Sequence, residues 1–416
     1  MTLTGGALPM NFPASCSGTD PGQSVHDIVV DISLEALEND PYPFYDWARR
    51  ACPVAYVPAT GRVLVMTWDL CRQAGANDRI FGPSAATHEA VYGKPNIMSM
   101  SGCAHQQIRT AVAAPLQPNA IAAYRETAIR DVVVRYIEAV RKKGAADIAT
   151  AIAEPISARV VGDLIGFRDV DDATLRRWFR AYAANLVDHG RNPLVADEIG
   201  IVKAEVADHL ARQADGASRA AGDSIVLRLL RYGVSAGTIR SVEEILPTVG
   251  VLIVGGFQEP AHAIANTLLG LFTDPCQAAR VAADPRGRSA AAILEGLRWL
   301  PPFGMTEKRT TQDIVLGHVS ILADTEIALV IGSANRDPAR FERPDMFDLE
   351  RPRQSTLAFG FGGHFCPGHG LARTLASIVL EEMFLRLPGL RPDPRGSAVV
   401  HGWLSRGVTS LPMVWD

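Results

Sequence analysis

Residues 359–368 read Phe-Gly-Phe-Gly-Gly-His-Phe-Cys-Pro-Gly, and this stretch decides the fold. A single cysteine, Cys366, stands among four glycines, ahead of a segment at 371–386 whose apolar spacing predicts a helix. Glycine permits backbone conformations and close approaches that a β-carbon would block, so a flat group can lie against such a loop. Amides at the start of the following helix can donate to the sulfur and favour its thiolate form. The loop therefore predicts a thiolate ligand beneath a flat macrocycle.

Three other interpretations of this loop are weaker. The glycine fingerprint of dinucleotide-binding proteins fails, because Phe365 occupies its third glycine position and no strand-helix-strand unit surrounds it. A zinc site would use His364, Cys366 and His369, but no second ligand pair accompanies them. A free buried cysteine would not need the ten-residue pattern.

The pattern Phe-x-x-Gly-x-x-x-Cys-x-Gly, at Phe359, Gly362, Cys366 and Gly368, resembles the haem-binding loop of the cytochromes P450. The resemblance implies a mainly α fold with a minor β region, and haem b between the central long helix and the cysteine-loop helix. It also implies that Cys366 is the iron ligand. A thiolate on haem iron pushes electron density toward bound dioxygen and favours O–O cleavage. The implied activity is that of a monooxygenase, an oxidoreductase.

A second pattern of the family, Glu-x-x-Arg, stands at Glu295 and Arg298. Alone it is usually a solvated helix-surface pair. Here it lies in an apolar segment about seventy residues before the cysteine, where the family has a buried structural pair. Segments 333–338 and 40–43 also resemble the family, so the likeness runs from about residue 38 to the end. We therefore expect a loosely ordered lead-in at 1–37 and a single haem-binding domain at 38–416.

Haem carries two propionates, which need cations and hydrogen-bond donors. His105 and Arg109 are four residues apart and share a face of a predicted helix. Spacing alone favours an exposed pair, but the family places a His-x-x-x-Arg here for the propionates, and that resemblance reverses the preference. Arg309 and His364 match the other two family donors. Arginine suits a carboxylate because its fork can bind both oxygens.

The most apolar long segment, 241–272, predicts a buried central helix. Most family members carry an acid followed by an alcohol in its oxygen-binding groove, but here Gln258 replaces the acid and Glu259 replaces the alcohol. Pro260 removes a helical hydrogen bond to the carbonyl of Gly256, which predicts a local kink. Burial should raise the pKa of Glu259, so that it can pass protons near neutral pH. The alternative is a structural glutamate bonded within the kink.

The Gln-Glu-Pro sequence, residues 261–272 and the C-terminal stretch 402–411 resemble one bacterial branch, the guaiacol O-demethylases. The branch hydroxylates the methoxy carbon of lignin-derived methoxyphenols, and the hemiacetal collapses to a catechol-type product and formaldehyde. The expected pocket walls are Phe81, Leu186, Val251, Gly255, Phe303, Thr306 and Ser405. Leu186 and Ser405 stand where the branch has phenylalanines. We therefore expect a bulkier substrate than guaiacol, such as syringol or an alkylguaiacol.

The oxidant is dioxygen in the default interpretation, with electrons from NADH through a separate reductase or ferredoxin system, because no flavin or iron-sulfur cysteine pattern is present. Hydrogen peroxide is the alternative, with Glu259 moving a proton between its oxygens. A hydroxylase of another small hydrophobic molecule, such as a terpenoid or polyketide, also stays open. So does a haem sensor or electron carrier without turnover, although no output module is visible.

Composition limits the partners and the compartment. The 416 residues are 47% hydrophobic with a net charge of -4, and no basic run suggests nucleic acid. No signal peptide, anchor or bilayer-spanning stretch is evident. Six cysteines without paired spacing suit a reducing cytoplasm better than a disulfide framework. We therefore expect a cytoplasmic protein that binds no membrane.

Overall fold

The structure is a computed structural model, and it describes residues 22–188, 192–217, 222–235 and 237–416. It is mainly helical with a smaller β region, which confirms the predicted fold class. The helices are α1 Leu34–Asn39, α2 Tyr42–Ala51, α3 Trp68–Gly75, α4 Ala85–Tyr92, α5 Gly102–Ala113, α6 Pro118–Tyr124, α7 Asp131–Arg141, α8 Glu154–Ile165, α9 Asp172–Asp188, α10 Pro193–Ala217, α11 Ile225–Arg231, α12 Val242–Leu271, α13 Pro275–Ala283, α14 Pro285–Trp299, α15 Ile331–Ala334 and α16 His369–Arg386.

The strands form small sheets beside the helices. They are β1 Gln23–Ser24, β2 Val54–Val57, β3 Arg62–Val65, β4 Phe81–Pro83, β5 Ala145–Asp147, β6 Thr306–Thr310, β7 Ile314–Leu316, β8 Val319–Ile321, β9 Glu326–Leu329, β10 Arg391–Pro392, β11 Val399–His401, β12 Gly407–Ser410 and β13 Pro412–Val414. The largest sheet has the order β2-β3-β9-β6-β4. Within it β3 and β9 run parallel, and the other neighbours are antiparallel. The smaller sheets are β1-β8-β7, β10-β13-β5 and β11-β12.

The central helix α12 packs against α8, α9, α14 and α16, and it fulfils the expectation for 241–272. Its start is a capping box, in which the Ser241 hydroxyl accepts the Glu244 amide and the Glu244 carboxylate accepts the Ser241 amide. The helix runs on through Pro260. The hydroxyl of Ser157, on α8, donates to the carbonyl of Gly256 at 3.2 Å and replaces the amide that proline lacks.

The described part of the expected lead-in, residues 22–37, is packed onto the rest of the chain. Ile28, Val30 and Ile32 alternate along an extended segment and are buried in the core around the large sheet. The backbone of Val30 donates to Tyr56, and Tyr56 donates to Ile28, both at 2.9 Å. Residues 1–21 lie outside the described residues.

Two further expectations concern cysteines and membranes. Cys52 takes part in a disulfide bond, contrary to the expectation from cysteine spacing, because separation along the chain does not report distance in the fold. Cys71, Cys103, Cys276 and Cys366 are free thiols.

Within the part of the chain that the structure describes, the helices are too short or too polar to cross a bilayer.

Candidate active site

The cysteine loop is folded tightly ahead of α16. The amide of Cys366 donates to the carbonyl of Phe359 at 2.9 Å and closes the loop. Gly360 and Gly362 have φ angles of 75° and 53°, the left-handed region that favours glycine. A β-carbon at Gly362 would also lie 2.8 Å from a carboxylate oxygen of Asp78. These glycines are therefore required by the path of the loop.

The Cys366 thiol is free, and the backbone amides of Gly368 and His369 bond to it. Burial nevertheless raises the pKa of the thiol above its ordinary value, and the charge of Glu259 raises it further. The Gly368 amide and the Arg109 guanidinium act in the opposite direction. The amides at the helix start therefore favour the thiolate, as the sequence predicted, but burial outweighs them in the free thiol. A metal ion at the sulfur would remove the proton.

The Glu295–Arg298 pair is buried behind the loop. Arg298 donates to both carboxylate oxygens of Glu295, at 2.8 and 2.7 Å. Its guanidinium also donates to the Asn335 carbonyl at 3.1 Å. The Asn335 side chain in turn accepts the amide of Leu357 at 2.9 Å, just before the loop begins. The pair is therefore a structural support of the loop, as the family resemblance implied.

Imidazoles and a guanidinium meet at one side of the loop. His105, on α5, stacks on His364 with ring centroids 4.2 Å apart. Arg109, one turn further along α5, donates to the carbonyl of Phe365. Burial lowers the pKa of His364 to about 4, and the neighbouring His105 and Lys308 add to that effect. The Nε2 atom of His105 is buried without a partner. The structure thus brings His105 and Arg109, on α5, next to His364 of the loop.

Arg309 is not part of this group. Its side chain is 44% exposed and pairs with Asp324 on the outer face of β6. The neighbouring Lys308 points the other way, because side chains alternate along a strand. Its buried ammonium group lies 2.8 Å from Asp78, whose other oxygen accepts the amide of Gly363. Sequence reasoning missed Lys308 because an error of one residue exchanges the two faces of a strand.

Glu259 lies on α12 at an open interior space. Its Oε1 accepts the hydroxyl of Ser405 at 3.3 Å, whereas its Oε2 and the Oε1 of Gln258 are buried and have no partners in the described part of the chain. Burial raises the pKa of Glu259 to about 8, although the Ser405 hydroxyl lowers it. Gly255, one turn earlier, is exposed in mid-helix, and apart from its own helix no atom of the described residues lies within 4 Å of a β-carbon built on it. Because the charge of Glu259 affects Cys366, this space borders the cysteine side of α12.

The expected pocket walls divide into two groups. Phe303 forms a β-bridge with Ser405, which places both beside Glu259. Val251 and Thr306 are half-buried. Leu186 and Phe81 are instead buried in packing, Leu186 in the core around α12 and Phe81 in the core around the large sheet. Ser405 was expected only to enlarge the pocket, but its hydroxyl is bonded to Glu259.

Comparisons with known proteins agree with this geometry. The family model described as Cytochrome P450 matches residues 289–388, which contain the Glu295–Arg298 pair and Cys366. The chain is 27% identical over 414 residues to the cytochrome P450 monooxygenase PikC of Streptomyces venezuelae, covering 95% of this chain and 97% of that one. The solved structure of CalO2 matches with a TM-score of 0.83 and 26% identity, covering 92% of this chain and 99% of that one. The fold is that of the cytochromes P450, and the family model and the relatives support membership of that family.

P450 relatives are monooxygenases, and their named substrates differ. The chain is 25% identical over 408 residues to 6-deoxyerythronolide B hydroxylase of Saccharopolyspora erythraea, covering 93% of this chain and 99% of that one. It is 28% identical over 316 residues to a C-19 steroid 1alpha-hydroxylase of Sorangium cellulosum, covering 74% of this chain and 79% of that one. The family therefore gives the class of reaction, and the substrate has to be argued from the site.

The residues of this P450 fit the haem b that the family uses. The Cys366 thiol is free, and backbone amides already bond to it. His105, Arg109, Lys308 and His364 gather at one side of the loop and would be the donors for the two propionates, and the buried Nε2 of His105 lacks a partner among the described residues. These side chains are thus placed where they would bind both the iron and the propionate carboxylates of haem.

Proposed function

We propose that this P450 removes the methyl group of a methoxyarene by oxidation, and that the substrate is a lignin-derived methoxyphenol of the guaiacol, syringol or alkylguaiacol type. The proposal rests on the Gln258-Glu259-Pro260 sequence of α12 and on the C-terminal stretch 402–411, which both resemble the guaiacol O-demethylases. The bond from Ser405 to Glu259 joins these two segments. The observation that carries the proposal is the buried carboxyl group of Glu259, whose Oε2 has no hydrogen-bond partner among the described residues.

The proposed reaction consumes dioxygen, two electrons from NADH and two protons. A reductase or ferredoxin system delivers the electrons, and bound haem supplies the activation of dioxygen. One oxygen atom enters a C–H bond of the methoxy group, and the other leaves as water. The resulting hemiacetal breaks at its carbon–oxygen bond to give a catechol-type phenol and formaldehyde.

Glu259 is the residue proposed to move the protons. Because its pKa lies near 8, the carboxyl group is mostly protonated at neutral pH and presents a proton on the side of Cys366. Its Oε2 has no hydrogen-bond partner among the described residues, and it is the oxygen that we propose donates the proton. The ring of Phe303 and the half-buried Val251 offer apolar surface for an aromatic substrate.

A peroxygenase on the same substrates is the second candidate, and Glu259 is the observation that favours it. A protonated carboxyl group at this place can donate its proton to one oxygen of hydrogen peroxide and take up the proton of the other. No electron-transfer partner would then be needed.

The test is a screen of guaiacol, syringol and 4-propylguaiacol with the purified haem-loaded protein. We expect a shift of the ferric iron from low to high spin on binding, and equimolar formaldehyde and phenol product on turnover. A methoxy-free analogue, 2-ethylphenol, serves as the control that must release no formaldehyde. Parallel reactions with NADH plus reductase and with peroxide alone separate the two candidates. Absence of both the spin shift and formaldehyde with every methoxyphenol would refute the proposal.

A further inference from the structure

The C-terminal turn, residues 402–408, is fastened along one face of α12. Ser405 bonds to Glu259, and the ring of His262 lies so close to Gly407 that a β-carbon there would approach it to 2.2 Å. Asn266 accepts the amide of Val408 at 2.9 Å through its side-chain oxygen. Positions 259, 262 and 266 are three and four residues apart, so they share one face of the helix.

The turn itself has little freedom. Gly402 has a φ of 99°, and a β-carbon there would lie 2.0 Å from the carbonyl of Ser405. The amide of Arg406 donates to Pro302 at 2.8 Å. Its guanidinium donates to the carbonyls of Gly402 at 2.8 Å and Glu38 at 2.9 Å. The hydroxyl of Ser405 therefore comes from a rigid support.

This support distinguishes the two oxygens of the Glu259 carboxyl group. Oε1 is bonded to the Ser405 hydroxyl at 3.3 Å, while the other possible acceptor of that hydroxyl, the Pro302 carbonyl, is at 3.5 Å. Oε2 has no partner among the described residues. A carboxyl group without the Ser405 bond could rotate and exchange its two oxygens.

We propose that Ser405 is a positioning residue, which holds Glu259 by Oε1 and so leaves Oε2 as the oxygen that transfers protons. The inference rests on the proposed function, in which Glu259 is the proton-moving group. It gives the C-terminal turn a role in the chemistry beyond that of a pocket wall.

Few ionisable groups face Glu259 from the elements around it. Tyr92 on α4 and Cys366 in the loop both have their pKa raised, mainly by burial, and the Glu259 charge adds to the rise. His262 lies one turn along the same helix, and burial lowers its pKa to about 4, so it is neutral at physiological pH. The Ser405 hydroxyl, in contrast, stabilises the carboxylate and acts directly on it.

The experiment measures the protonation of Glu259 in the haem-loaded protein by infrared difference spectroscopy between pH 6 and pH 10. The carboxyl band is assigned as the one that Glu259→Gln removes. In Ser405→Ala the midpoint should rise by about 0.5–1 pH unit, the size expected for one lost hydrogen bond. Ser405→Thr keeps a hydroxyl and should stay close to the wild-type midpoint. The carbon monoxide spectrum of each variant shows whether it has folded with its haem.

Turnover gives an independent measurement. We expect kcat for O-demethylation to fall about tenfold in Ser405→Ala, with KM nearly unchanged and the fall largely reversed in Ser405→Thr. An unchanged midpoint in Ser405→Ala would overturn the inference, and so would equal midpoints in the alanine and threonine variants. Failure of the wild-type protein to release formaldehyde would instead defeat the proposed function, because the infrared midpoints do not depend on the substrate.

Discussion

Replacement of Glu259 by glutamine should make the protein less sensitive to high pH. In the folded chain, burial raises the pKa of Glu259 from 4.5 to about 8. The folded state therefore binds more protons than the unfolded state between these two values. Since stability falls with pH wherever the folded state binds the extra proton, the wild type should lose stability from about pH 4.5 to pH 8. Glutamine carries no such proton and has no such loss.

The magnitude follows from the two pKa values. At about 1.4 kcal/mol per pH unit, the rise from 4.5 to about 8 corresponds to ~4–5 kcal/mol. This is an upper bound, because rearrangement of the folded protein around a charged carboxylate would reduce the cost of burying it. We expect ~2–4 kcal/mol to appear between pH 5 and pH 9.

The assay is urea unfolding of the wild type and Glu259→Gln at pH 5, 7 and 9, followed by tryptophan fluorescence. Because the two proteins share every other titrating group, the contributions of those groups cancel in the difference between their free energies of unfolding. Glu259→Gln should gain stability relative to the wild type as the pH rises, and the gain should level off above pH 8–9. A difference that stays constant within about 1 kcal/mol over this range would refute the buried, protonated carboxyl group.

Three further substitutions test the site around Cys366. Cys366→Ala should abolish the absorbance of a thiolate-ligated haem in the reduced, carbon monoxide-bound protein, and persistence of that band would show that another group is the ligand. Glu295→Gln should cost ~3–5 kcal/mol in urea unfolding, because it breaks a buried ion pair, whereas Glu350→Gln, in an exposed ion pair, should cost less than ~1 kcal/mol. Equal losses in these two variants would contradict the structural role of the buried pair. Lys308→Met should speed haem transfer to apomyoglobin about tenfold, as expected for one lost charge-assisted hydrogen bond. Arg309→Met should leave that rate unchanged. If Arg309→Met speeds haem transfer and Lys308→Met does not, Arg309 is the propionate donor, as the sequence predicted.

Much of the fold could be predicted from the sequence because its signals are local. The β-rich runs on either side of Thr60-Gly61 predict a hairpin at 54–66, and it is present, with Val54 opposite Val65 and a left-handed Gly61 in the turn. The helix expected at 371–386 begins two residues earlier, at His369. The long apolar segment became α12 within one residue at each end. Periodicity and turn residues determine such elements without reference to distant parts of the chain.

The features that sequence could not give depend on distance in the fold. The choice between Lys308 and Arg309 depends on the register of one strand, and both residues carry a positive charge. The disulfide at Cys52 depends on which parts of the chain meet. The residue types of Leu186 and Phe81 predict that both side chains are buried. They do not tell whether each side chain borders the pocket or lies in the core.

In the groove of α12, the fold brings an acid and an alcohol together although they are not neighbours in the sequence. The family's acid and alcohol are neighbours on the helix, and here Gln258 and Glu259 occupy those places. The hydroxyl groups come instead from other elements. Ser157 on α8 satisfies the carbonyl of Gly256, and Ser405 in the C-terminal turn satisfies Oε1 of Glu259. Acid and alcohol are therefore again in contact, although 146 residues separate them along the chain. Because Ser405 lies in a turn that is fastened to the same face of α12 as Glu259, this contact is made by the tertiary fold and not by the helix alone.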